Sequence, residues 1–98
     1  MIGYTPRAAR QVADLRQFYE EKERPEAIAA LNAALEAAEQ RIEERPTAGL
    51  PAPRPYPRLA TPGRAWIKSG RYWIAYRTQT PLLIVAVIFE TAHIPGRL

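Results

Sequence analysis

The chain has 98 residues, 47% of them hydrophobic, with 14 Lys/Arg against 10 Asp/Glu and no cysteine. That length supports one domain with a single modest core. The hydrophobic share excludes a disordered chain, and the missing thiols exclude disulfides and thiolate metal sites, as fits a reducing cytosol. The net charge of +4 is unevenly spread. Residues 1–46 hold seven basic and nine acidic side chains, whereas residues 47–98 hold seven basic ones and a single acid, Glu90. Such segregation points to a directional partner, either nucleic acid or an acidic protein segment.

The opening residues, Met1 to Tyr4, lack the basic stretch and apolar core of a secretion signal, so a cytoplasmic location is expected. Ile2 to Tyr4 suits a short edge strand. Thr5-Pro6 then starts a helix, because threonine caps free amides and proline fits the first helical position. Ala8, Val12, Leu15 and Tyr19 form its apolar stripe. Pro25 ends this helix and opens a second, with Ile28, Leu31, Leu35, Ala38 and Ile42 on one face and Arg45-Pro46 at its close. The short link predicts an antiparallel helical hairpin over residues 5–45.

Residues 46–63 contain six prolines and two glycines. They predict an extended, largely polyproline connector that carries the chain to the sheet. The sheet is expected over 64–91, followed by a tail at 92–98. Residues 65–68 and 71–77 flank Ser69-Gly70, which reads as a two-residue hairpin turn. Leu82 to Phe89 is apolar on both faces and only eight residues long. A membrane helix needs roughly 20, so this is a covered strand and no membrane partner is expected. The fold class is α+β, with an N-terminal strand and helical hairpin packed on a three-stranded antiparallel sheet.

With Ser69-Gly70 as the turn, Lys68 faces Arg71 and Trp66 faces Trp73. Alternation then places Ala65, Ile67, Tyr72, Ile74 and Tyr76 towards the helices. The other face receives Arg64, Trp66, Lys68, Arg71, Trp73 and Arg77, a candidate surface for phosphate, stacked bases or a carboxylate-bearing peptide. An apolar groove is expected beside these cations, filled by an apolar and acidic partner segment. The bland alternative is a sheet face whose tryptophans are covered by the proline-rich segment. Glu90 is expected to pair with a neighbouring arginine. His93 is the sole histidine, which excludes a multi-histidine metal site, and neither metal nor cofactor is expected. No serine–histidine–acid set, P-loop or dinucleotide fingerprint occurs.

Three segments carry a family resemblance. Pro46-Thr47-Ala48-Gly49 resembles the P-x-x-G that follows the second helix in the ParE/RelE toxin superfamily. Gly70-Arg71-Tyr72-Trp73-Ile74-Ala75-Tyr76-Arg77 resembles its G-R-Y-x-h-x-Y-R hairpin, where h is apolar. Ile94-Pro95 resembles the ending common in ParE-like members. The resemblance implies a β-α-α-β-β-β fold and the toxin component of a type II toxin–antitoxin system, of the kind associated with plasmid stabilisation. It also implies a cognate antitoxin, ParD-like or other, in a toxin–antitoxin hetero-oligomer.

Two activities come with that resemblance. ParE-like members poison DNA gyrase without a hydrolytic site. RelE-like members cut messenger RNA on the ribosome with basic side chains and often a tyrosine or histidine near the C-terminus. Under the nuclease reading Lys68, Arg71, Arg77 and His93 would be the catalytic set. Here Ala92 stands where many relatives carry arginine, Phe89 where histidine is common, and no tyrosine follows the last strand. The gyrase-type reading is therefore favoured over the endoribonuclease, with a weakly toxic antitoxin-binding relic as the third reading.

Overall fold

The computed structural model describes residues 2–98; Met1, at the start of the expected single domain, lies outside them. The elements are β1 (Gly3–Tyr4), α1 (Pro6–Glu21), α2 (Pro25–Glu44), β2 (Arg64–Ser69), β3 (Tyr72–Arg77) and β4 (Leu83–Phe89), with 3-10 turns at Pro57–Leu59 and Ile94–Arg97. The fold is α+β, as the pattern predicts. α1 begins as its first residues dictate: the Thr5 hydroxyl accepts from the Ala8 amide at 3.2 Å, and Pro6 takes the first position. α2 opens on Pro25 and buries Leu31, Ala34, Leu35, Ala38 and Ile42 along one stripe. No helix among the described residues is long and apolar enough to cross a membrane.

The strand order is β1-β4-β3-β2. β1 adds to β4 in parallel, pairing Gly3 with Leu83 and Tyr4 with Ile84, while β2–β3 and β3–β4 are antiparallel. The hairpin register corrects the sequence reading. The turn residues are Gly70 and Arg71, not Ser69 and Gly70, so Ser69 pairs with Tyr72, Lys68 with Trp73 and Trp66 with Ala75. Gly70 takes the first turn position with φ +56°, which glycine adopts without steric cost. Ser69 prefers the strand because its hydroxyl donates to the buried Ala34 carbonyl at 2.7 Å. Every partner slides by two residues, and a slip of two keeps each paired side chain on its predicted face, whereas Arg71, expected on the face away from the helices, becomes a turn residue that reaches the helix side.

Two cores result. One lies between helices and sheet and contains Leu31, Ile42, Ile74, Tyr76 and Ile84. The other lies on the opposite face, around Trp66, Trp73, Ala75, Ala86, Ile88 and Ile94. At the β3–β4 pairing a bulge skips Val85, so Val85 and Ala86 both join this second core.

Candidate functional site

The second core overturns the expected open face. Residues 50–59 form a strap over it. Leu50 exchanges two 2.7 Å backbone hydrogen bonds with Trp66, acting as one extra rung at the outer edge of β2. Pro53 is fully buried, and Leu50, Tyr56 and Leu59 pack against the core that holds the tryptophans. From the other side Ile94 plugs the face at 1% exposure. Burying an isoleucine completely contributes about 1.5–3 kcal/mol, which gives the Ile-Pro segment a packing role. Trp66 is therefore wholly buried and Trp73 nearly so, and neither indole is available to a base or peptide. The cover prevails over the open surface because two adjacent indoles expose too much apolar area to remain wet.

The strap also explains a glycine. A Cβ on Gly49 would stand 2.6 Å from the Tyr76 hydroxyl and 2.9 Å from the Ala65 Cβ. Only glycine lets the strap pass over Tyr76 and reach Trp66, so the Pro46–Gly49 segment and the hairpin motif meet at one contact. The Tyr76 hydroxyl and the Trp66 indole nitrogen are buried without a hydrogen-bond partner.

The predicted cations separate into two groups. Lys68 and Arg71 lie at the hairpin tip, where Glu90 accepts from both, at 2.7 Å from Lys68 and 2.8 Å from Arg71. These two hydrogen bonds, Lys68 first, hold the Glu90 carboxyl below its ordinary range. The anion that offsets the two cations is thus internal. Arg71 also stacks over Phe89 at 5.0 Å, and Lys68 over Trp73 at 5.8 Å. Arg64 and Arg77 form a directly opposed pair at the far end of the hairpin. Six residues separate Arg71 from Arg77, roughly 20 Å of strand. His93 lies in the turn after β4, edge-on to Tyr56 at 6.2 Å. The residues named for a nuclease are therefore dispersed.

The apolar groove lies elsewhere than expected, on the helix side. It runs between the second half of α1, the start of α2, the hairpin tip and the end of β4, with a volume of about 580 Å³. Leu15, Phe18, Tyr72 and Phe89 line it together with Arg24, Arg71, Arg97 and Glu26, the last paired with Arg24 at 3.0 Å. Phe18 is 53% exposed, the one exposed large hydrophobic side chain among the described residues. At its base Tyr19 and Tyr72 share a 2.5 Å hydroxyl hydrogen bond. Burial, then that bond, raises the Tyr72 pKa, so the phenol stays protonated. Phe18 falls outside the Ala8, Val12, Leu15 and Tyr19 stripe that the sequence shows. Its exposure depends on how α1 crosses β4, which no local pattern states.

The site thus consists of a helical hairpin on one face of a sheet, an arginine-marked hairpin tip and an apolar groove beside it. Residues 2–91 match the family described as ParE toxin of type II toxin–antitoxin system, parDE. The match covers nearly the whole chain, and the chain belongs to that family: it is a toxin of the type II toxin–antitoxin class. No curated protein matches closely enough to add a relative to that assignment.

Proposed function

We propose that this toxin acts by binding and inhibiting DNA gyrase, and that a cognate antitoxin neutralises it by laying an apolar, acidic segment into the groove around Phe18. The dispersal of the would-be catalytic residues carries the first part. Lys68 and Arg71 are engaged by Glu90, and Arg77 lies at the other end of its strand. General acid–base work needs groups within hydrogen-bond reach of one substrate bond. A binding surface has no such requirement. The groove supports the second part: it offers aromatic anchors and three guanidinium groups against one carboxylate, Glu26, the composition that favours an amphipathic segment carrying carboxylates.

The test is induction with pulse labelling, followed by a supercoiling assay with purified gyrase. DNA synthesis is expected to stop while translation continues at first, and supercoiling to be inhibited. Prompt messenger cleavage with intact DNA synthesis would replace this reading with the endoribonuclease. In the same assays Phe18→Asp is expected to retain toxicity and escape the antitoxin, at a cost in complex stability of about 2 kcal/mol or more.

A further inference from the structure

The arginines that Glu90 does not reach form a surface of their own. Arg64 and Arg77 are direct cross-strand neighbours on the strap side of the sheet. Like charges placed opposite each other destabilise a hairpin unless an anion lies between them. Neither has an ion-pair partner among the described residues, whereas Arg24 pairs with Glu26 and both Lys68 and Arg71 pair with Glu90. Arg7, at the start of α1, shares a concavity of about 240 Å³ with Arg64, Thr5 and Val85. The strap packed on this face adds exposed Arg54 and Arg58. The acids lie elsewhere, with Glu36, Glu39, Glu43 and Glu44 on α2 lining one cleft.

Burial of both tryptophans narrows the ligand. Proteins that hold single strands combine cations with aromatic faces on which bases stack. Here Arg7 and Arg77 are exposed and Arg64 is half-buried, while the indoles are covered. Guanidinium groups without a stacking platform suit a phosphate backbone whose bases are already paired. We infer that the surface built on Arg7, Arg64 and Arg77 binds the phosphate backbone of duplex DNA, without reading its sequence. This rests on the gyrase reading, because gyrase holds the duplex on which such a surface would close.

The inference is tested by fluorescence anisotropy of the full chain with a labelled DNA duplex of mixed sequence, across a salt series. Three engaged phosphates give a slope of about −2.7 in log K against log salt, a loss of about 40-fold between roughly 50 and 200 mM. Arg64→Gln and Arg77→Gln are each expected to weaken binding about eightfold at roughly 0.1 M salt and to lower the slope by about 1. Arg16→Gln, on the helix side and bonded to Asn32, is expected to change nothing. Thermal midpoints of all variants should stay near the parent, which separates lost contact from lost fold. Absence of duplex binding at low salt, tighter binding to single-stranded RNA, or arginine variants that bind like the parent would each overturn the inference. The supercoiling assay is scored separately. A toxin that binds the duplex in this way but leaves gyrase active disproves the gyrase reading alone. Arg64→Gln and Arg77→Gln variants that lose duplex binding yet inhibit gyrase fully uphold the duplex-binding surface and the gyrase reading, and show that inhibition does not depend on that surface.

Discussion

The helix face of the sheet is closed by two long elements whose apolar residues recur at helical spacing. Of its buried polar side chains among the described residues, Tyr19 bonds Tyr72 and Ser69 donates to the Ala34 carbonyl, and the one left unbonded, the Tyr76 hydroxyl, is the one that the irregular chain at Gly49 crosses. The strap face is closed by a proline-rich segment with one β-bridge and by a single 3-10 turn. It leaves the Trp66 indole nitrogen buried and unbonded. Both faces are dry, but only one is closed by regular hydrogen bonding. Irregular chain can exclude water as effectively as a helix, but with less capacity to satisfy the polar atoms it covers.

The strongest test of that comparison deletes one large side chain from each face. Ile74→Ala is expected to cost about 2–5 kcal/mol and Trp66→Ala about 3–5 kcal/mol, read from denaturant midpoints. A Trp66→Ala cost smaller than that of Ile74→Ala would mean that the strap collapses into the space, and that this face is the softer of the two. A finer test removes one polar atom from each. Tyr72→Phe leaves the Tyr19 hydroxyl buried without its partner, an expected loss of about 1–3 kcal/mol. Trp66→Phe removes an N–H that has no partner, so relief of its desolvation offsets part of the lost volume and the net change is expected within about 1.5 kcal/mol. Equal costs for the two phenylalanine variants would erase the proposed difference between the faces.

The helix face was legible from the sequence because its signals are local. The Ala8–Tyr19 and Ile28–Ile42 stripes, the Thr5 cap and the two helix-opening prolines each act within a few residues. The hairpin was legible to within one residue of its turn, and its faces survived that error because the displacement was even. The strap's role was legible only as the alternative to an open face, and its particular contacts were not. Its contacts join Leu50 to Trp66 and bring Ile94 into the same core, separations that carry no periodicity. Of the candidate surface, the Glu90 pairing could be anticipated because one acid stands among seven cations. The separation of Arg64 and Arg77 from Lys68 and Arg71 follows from strand length, while the groove at Phe18 needed the helix crossing.

The smallest expected effect concerns Glu90. Its carboxyl titrates below the ordinary range, so its contribution is present above the unfolded carboxylate pKa of about 4.3 and is lost as pH falls through the lower folded value. The thermal midpoint of Glu90→Gln should lie slightly below that of the parent at neutral pH, and the gap should close in acid. A gap independent of pH would show that Glu90 acts by shape and not by charge.

The short strand β1 sets a timetable. Gly3 and Tyr4 find their sheet partners only at Leu83 and Ile84, eighty residues later. At ribosomal speeds of roughly 5–20 residues per second, the first strand waits about 4–16 s for its mate to be made. Pairings so distant in sequence are also the slow ones to form. Until then the helices can assemble but the sheet cannot close, and neither the hairpin tip nor the Arg64–Arg77 pair is held in place. A chain released before β4 is made would lack the central strand on which both β1 and β3 pair, and with it the sheet that sets the two arginine groups apart.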